Sequence, residues 1–268
     1  MKKNIIGIIG GGNMGEALIK GLYKSYDIFV HEINPERVKY LNKKYKAKIA
    51  DIPGIMANAQ VVILAVKPQD MHAALSWVRS NYSKEDKLFI SIAAGLTTKF
   101  FEDNLKNDLN PKPRIVRAMP NMPALIGEGI TGITAGRYTK SEDMKLAQVI
   151  LKAIGETVII KEDMIDAITA VSGSGPAYVF LFVEQWMAAA VSLGFSSEDA
   201  KRLVYKTLLG SAHLMEQSQF DASELRVKVT SKGGTTQAAL DVFSIGKFDQ
   251  LMKDALIAAK KRAKELAK

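Results

Sequence analysis

The chain has 268 residues, 47% hydrophobic and 24% charged, which suits a globular protein of one large or two modest domains. It has no cysteine, which excludes a disulfide framework, a thiolate zinc site and a cysteine nucleophile. The net charge of +9 sits almost wholly in residues 1–160, with 23 Lys/Arg against 15 Asp/Glu, whereas 161–268 carry 14 against 13.

A basic first half fits nucleic acid or a membrane surface, but aromatic residues are only 7% and no Arg-rich tract interleaves them. The reading is a solvated face that attracts small anionic ligands, with neither nucleic acid nor membrane as partner. The three histidines, His31, His72 and His213, show no ligand spacing, so no metal site is expected. The first four residues run straight into an apolar stretch without a signal-peptide pattern, which predicts a reducing cytoplasm.

Ile5 to Ile9 is a short apolar run bounded by glycine, the pattern of a strand buried on both faces. Residues 13–23 place Met14, Ala17, Leu18, Gly21 and Leu22 at helical spacing. A second strand fits 27–31, and a helix fits 35–45 with Asn34 as N-cap and Pro35 at its first position. Further strands fit 61–66, 88–91 and 114–118. This alternation predicts a doubly wound parallel sheet over 1–160.

Beyond residue 160 helical periodicity takes over, with helices expected at 176–193, 197–217, 235–243 and 248–267. The first of these is apolar nearly all round, and Glu184 and Gln185 at its centre argue against a membrane span. Such a helix needs burial on every side, more than 108 residues supply alone, so a second subunit is expected to cover it.

Gly10-Gly11-Gly12-Asn13-Met14-Gly15 matches G-x-G-x-x-G after a buried strand and before a helix, the context of dinucleotide binding. Gly10 permits the tight turn, Gly12 lets backbone N–H groups approach a pyrophosphate, and Gly15 lets the helix pack on the sheet. Glu32, 22 residues after Gly10, either hydrogen-bonds an adenosine ribose or faces solvent; Asn34 and Arg37 beyond it could instead hold a phosphate. Ala65-Val66-Lys67-Pro68 ends a buried strand, so Lys67 is aimed at the cofactor crevice or lies on the surface. Ala93, Ala94 and Gly95, and the run Met119 to Pro123, also follow strands and line the same crevice.

Ser172 to Pro176 is either a plain turn opening a helix or a backbone nest; spacing does not choose. Thr230 to Thr236 joins two helices, and its glycines and helix-start donors suit either a carboxylate ligand or a capped helix.

Together, Gly10–Gly15, Ala65–Pro68, Ala118–Pro123, Ser172–Tyr178 and Ser231–Thr236 occur in an order that resembles the Δ1-pyrroline-5-carboxylate reductase family over essentially the whole chain. The resemblance implies reduction of the cyclic imine pyrroline-5-carboxylate to proline by NADPH or NADH. It implies an N-terminal Rossmann-like domain, 1–160, and an all-α domain, 161–268, that dimerises and often builds a ring of dimers. By the family pattern Thr236 meets the ring nitrogen, and Ser231, Gly234 and Thr235 surround the substrate carboxylate. Lys67 and Asn121 sit near the nicotinamide. No strong side-chain acid stands in these motifs, so the substrate or water is expected to supply the proton. Other imine or β-hydroxyacid reductases and a non-catalytic regulatory paralogue share the architecture. The chain departs from the family in two places: Lys232 replaces a proline, and Glu32 to Pro35 lacks the plain phosphate-friendly pattern.

Overall fold

The computed structural model describes residues 4–83 and 87–266. Residues 1–3, on which the reading of no signal peptide partly rests, and residue 267, the expected end of the last helix, lie outside them. The chain divides into two compact units, Met1–Ser174 with Ala259–Lys268, and Gly175–Ala258.

The first unit runs β1 (Ile5–Ile9), α1 (Asn13–Leu22), β2 (Asp27–His31), α2 (Pro35–Tyr45), β3 (Lys48–Ile49), α3 (Ile52–Asn58), β4 (Val61–Leu64) and α4 (Met71–Ser80). It continues with β5 (Leu88–Ser91), α5 (Thr98–Leu105), β6 (Arg114–Met119), β7 (Gly129–Ala135), α6 (Ser141–Leu151), β8 (Gly155–Ile159) and α7 (Ile165–Ile168). The strands form one sheet in the order β3-β2-β1-β4-β5-β6-β7-β8. Every pairing is parallel except β6 with β7, so the expected parallel sheet carries one antiparallel step.

Strands β1, β4, β5 and β6 are buried on both faces because successive residues serve two different cores. Ile6, Ile8, Ile63, Ile90 and Val116 pack with Leu18, Leu22, Leu41 and Ile150 on one side. Ile9, Val62, Leu64, Phe89 and Ile115 pack with Ile55, Met71, Leu75 and Phe101 on the other. Strand order reverses at β1, whose neighbours are β2 and β4, and the glycine loop leaves β1 at that point. In open α/β sheets ligands bind at such a switch point, beyond the carboxyl ends of the strands.

The composition change near residue 160 marks the end of β8. The chain nevertheless stays packed with the sheet unit as far as Ser174. Glu162 accepts from Thr98 N–H at 2.6 Å and Thr98 Oγ1 at 2.7 Å, and it pairs with Arg117 at 3.3 Å. Ile165 is buried beside this tie.

The second unit holds α8 (Gly175–Ser192), α9 (Ser197–Gln217), α10 (Ala222–Lys228) and α11 (Thr235–Ile245), and begins α12 (Phe248–Leu266). Helices α8 and α9 bury Val183, Ala190, Ala200 and Val204, the small apolar core of this unit. Most of the other apolar side chains of α8 are uncovered, with Phe180 58% and Leu181 57% exposed. The helical run from Glu162 to Ser192 is long and apolar enough to cross a membrane by length and composition.

Among the described residues, Thr131 of β7 carries a buried side-chain oxygen with no hydrogen-bond partner. A buried orphan hydroxyl costs about 1–3 kcal/mol. Thr131→Val is therefore expected to raise the urea midpoint at unchanged slope, a stabilisation of about 1 kcal/mol. A lower midpoint would show that the hydroxyl is satisfied.

Candidate functional site

The glycine loop is held by contacts within the chain. Gly10 has φ +106°, and a Cβ there would lie 2.6 Å from Ala65 O, so only glycine fits the turn. A Cβ on Gly15 would stand 2.2 Å from Gly10 O, which is the close packing of α1 on the loop. Gly12 is different: a Cβ there would meet nothing within 4 Å. Gly12 caps α1 with no side-chain hydrogen bond, and the first intrahelical bond runs from Glu16 N–H to Gly12 O at 2.8 Å. The N–H groups of Asn13, Met14 and Gly15 therefore precede the helical ladder. An uncapped helix start behind a bare glycine is a cradle for a pyrophosphate, so these residues fit a dinucleotide.

The Gly11 peptide is gripped on both sides. Its N–H donates to Glu32 Oε2 at 2.8 Å, and its carbonyl accepts from Arg37 Nε at 2.6 Å. The other Glu32 oxygen accepts from Asn34 N–H at 2.8 Å. The Asn34 side chain caps α2, accepting from Glu36 N–H at 3.0 Å and Arg37 N–H at 3.2 Å. Glu32 and Asn34 thus stand beside the glycine loop, where the sequence puts them.

Strand β4 stops at Leu64 rather than at residue 66. Ala65 N–H still reaches Ile9 O at 2.8 Å, and the chain then turns against Gly10 and Gly15. Val66 is half-buried, Lys67 is exposed, and Pro68 opens a short 3-10 turn. Ala93 is buried just past β5. Asn121 is buried past β6, and its Oδ1 accepts from Ile130 N–H at 3.0 Å, tying the loop after β6 to β7. All these residues follow the carboxyl ends of adjacent parallel strands, β1, β4, β5 and β6.

The Ser172 region is the plain turn that opens a helix rather than a backbone nest. Residues Thr169–Gly173 form a π-helical turn that links α7 to the next helix, with Ser174 N–H on Thr169 O at 2.8 Å and Ser172 Oγ on Ile168 O at 3.1 Å. Gly173 lies against the side-chain end of Met119 at the end of β6.

The segment 231–236 belongs to the second unit. Gly234 N–H donates to Ser231 O at 3.0 Å, and Gly233 takes φ +69°. Gly234 caps α11 without a side-chain bond, and a Cβ there would strike Ser231 Oγ at 2.3 Å. The ladder begins with Ala238 N–H on Gly234 O at 3.2 Å, so the N–H groups of Thr235 and Thr236 stand at an open helix start. Thr236 is half-buried, while Ser231, Lys232 and Thr235 are exposed.

Two family models match the chain: "NADP oxidoreductase coenzyme F420-dependent" over residues 5–95 and "Pyrroline-5-carboxylate reductase dimerisation" over 162–266. A pyrroline-5-carboxylate reductase of Haemophilus influenzae is 40% identical, covering 99% of this chain and 98% of the relative. The chain belongs to the pyrroline-5-carboxylate reductase family. Among solved structures, the Coxiella burnetii pyrroline-5-carboxylate reductase matches with TM-score 0.92 at 37% identity over all of both chains. The Plasmodium falciparum pyrroline carboxylate reductase with NADP bound matches with TM-score 0.85 at 29% identity, again over all of both chains.

One group in this reductase fold escaped the sequence reading. Glu16, in the first turn of α1, accepts from Tyr45 OH at 2.7 Å, Tyr40 OH at 2.8 Å, Arg37 Nη2 at 2.5 Å and Lys44 Nζ at 3.2 Å. A carboxylate four residues past the last loop glycine but one was a visible signal, since it puts negative charge beside a phosphate cradle. Its donors, though, come from the far helix α2. Burial alone would raise the Glu16 carboxyl; hydrogen bonds from Tyr45, Tyr40, Arg37 and Lys44 outweigh it and hold its pKa at about 2.

A depressed folded-state pKa gives stability that is complete above the ordinary carboxyl value of 4.5 and is lost as pH falls towards about 2. The urea midpoint of the native chain is therefore expected to drop between those pH values, and that of Glu16→Gln to drop less. Parallel curves would contradict the assignment.

Proposed function

We propose that this chain is an NAD(P)H-dependent reductase of the cyclic imine pyrroline-5-carboxylate, giving L-proline as the last step of proline synthesis, in the cytoplasm. The observation that carries the reading is the end-to-end match to the Haemophilus influenzae reductase, 40% identical over 99% of this chain. In this reading residues 1–160 bind the dinucleotide and 161–268 bind substrate and dimerise.

The nicotinamide cofactor, when bound, supplies the hydride to the C=N carbon. The residues of the chain do the rest. Gly10, Gly12, Asn13, Met14 and Gly15 hold the pyrophosphate at the start of α1. Glu32 and Asn34 meet the adenosine ribose, with Arg37 holding the loop from behind. Ala65, Val66, Pro68 and Ala93 line the crevice towards the nicotinamide, where Lys67 and Asn121 stand. Ser231, Gly234 and Thr235 offer donors to the substrate carboxylate, and the Thr236 hydroxyl orients the ring nitrogen. Negative charge would build on that nitrogen unless it is protonated, and these residues include no strong acid. The proton comes from the substrate in its iminium form or from water. Catalysis is then chiefly orientation and charge placement.

The first test is oxidation of NADPH and of NADH on addition of pyrroline-5-carboxylate. Turnover with neither would overturn the reading. Thr236→Val is expected to lower kcat/KM by about tenfold, the equivalent of one hydrogen bond of about 1.4 kcal/mol, with cofactor affinity unchanged. Native turnover in that variant would remove Thr236 from the mechanism.

Glu32 acts on the cofactor choice at the adenosine ribose. A carboxylate beside the ribose disfavours a 2′-phosphate and hydrogen-bonds the two hydroxyls of NADH. Both cofactors should work, with a weak preference for NADPH. Glu32→Ser should raise the NADPH/NADH ratio of kcat/KM about tenfold. A flat ratio would show that Glu32 does not face the ribose.

The assembly is a homodimer, and a ring of dimers is its larger form. The support is the dimerisation model over 162–266 and the uncovered apolar surface of α8. Trp186, 36% exposed and against Phe182 at 5.6 Å between ring centroids, is part of that surface. Trp186→Lys would bury an unpaired charge at the interface and should yield monomers in light scattering. A native-sized Trp186→Lys assembly would place the interface elsewhere.

A further inference from the structure

We propose that Glu16 is a specificity-determining residue: it acts as resident counter-ion to Arg37 and Lys44, so that neither cation is free to bind a 2′-phosphate. The inference rests on the dinucleotide reading above and deepens it. A chain that separates NADPH from NADH by contact needs a cation at the end of β2 or on the facing side of α2. The residues there offer few. Ile33 is apolar and 86% exposed, Glu32 is a carboxylate, and the Asn34 side chain is engaged as the α2 cap.

Arg37 and Lys44 are the cations that α2 turns towards the loop. They lie seven residues apart, two helical turns on one face. Both are occupied. The Arg37 guanidinium reaches Gly11 O at 2.6 Å, Gly12 O at 3.3 Å and Glu16 at 2.5 Å. The Lys44 ammonium reaches Glu16 at 3.2 Å and also donates to Tyr40 OH. Tyr40 and Tyr45 also donate to the carboxylate, and the Arg37 guanidinium lies over the Tyr40 ring, 5.1 Å from its centre. Glu16 is largely buried, so its charge is poorly replaced by water if a cation leaves. Moving Arg37 would also release the Gly11 carbonyl and loosen the loop that holds the pyrophosphate.

Lys39 and Lys43 remain on α2, exposed. They add to a field that favours the more anionic cofactor, but solvent and salt screen it, and they give no fixed contact. The counter-ion at position 16 therefore keeps discrimination low by neutralising the two cations that could contact the extra phosphate.

The test is direct binding of NADPH and of NADH, followed by fluorescence of the reduced nicotinamide, with the full chain and no imine present. Glu16→Gln keeps an oxygen for the two tyrosines and removes the charge that holds the cations. It should tighten NADPH relative to NADH by about tenfold, and Glu16→Gln combined with Arg37→Gln should lose most of that gain. Arg37→Gln alone should weaken both cofactors by the same factor, because its work is done on the loop. An unchanged ratio in a folded Glu16→Gln protein overturns the proposal. So does a selective loss of NADPH in Arg37→Gln, which would mean that Arg37 leaves Glu16 when the cofactor binds. If Glu16→Gln does not fold, by circular dichroism, the Arg37→Gln comparison decides alone. Failure of the unsubstituted chain to bind either cofactor would strike the dinucleotide reading itself.

Discussion

The Gly11 peptide, held by Glu32 at its N–H and by Arg37 at its carbonyl, is the constraint on which the rest of the dinucleotide site depends. A glycine loop is flexible by composition, and glycine loses the most backbone freedom when it is fixed. Here the ordering is done by the protein. Gly10 N–H meets His31 O at 2.9 Å, Glu32 and Arg37 take Gly11, and Gly15 rests on Gly10 O. Only the face at Gly12 and the start of α1 is left open. A ligand that binds there does not spend its binding energy on ordering the loop.

The same ties connect recognition to folding. Arg37 and Glu32 flank the α2 start, so their hydrogen bonds tie the second strand, the second helix and the loop together. Glu16 closes the circuit from α1. Its carboxylate would repel a pyrophosphate if it were unpaired, and the two cations and two tyrosine hydroxyls around it remove that conflict. The helical unit is built on the opposite principle. Its chain satisfies few of its own apolar faces, and Phe180, Leu181 and Trp186 stay uncovered within it. The family model for dimerisation matches residues 162–266, which include these uncovered residues.

Local chemistry made much of this legible from sequence. Strand β2 and helices α2 and α9 fall on the expected residues, since turn residues, Asn34 with Pro35, and Ser196 with its acidic first turn mark their ends. Strands β7 and β8 were missed because Gly129–Ala135 and Gly155–Ile159 mix glycine, threonine and glutamate into a pattern without apolar alternation; sheet pairing, not propensity, makes them strands. The antiparallel step between β6 and β7 follows from the 3-10 turn at Met122–Ile126, which reverses the chain. The loop residues of the candidate site were legible as residue types, but their partners were not. That Asn121 braces β7, that Glu162 ties α5 to β6 and that Glu16 gathers α2 depend on neighbours 9 to 64 positions away.

In the proposed reaction the chain moves a hydride from a nicotinamide to the imine carbon of pyrroline-5-carboxylate. The most direct measurement uses reduced cofactor carrying deuterium at the transferable position of the nicotinamide ring, with the product read by mass spectrometry and magnetic resonance. The expected product is L-proline with one deuterium on the ring carbon that was doubly bonded to nitrogen. Unlabelled proline, or cofactor oxidation without proline, would contradict it.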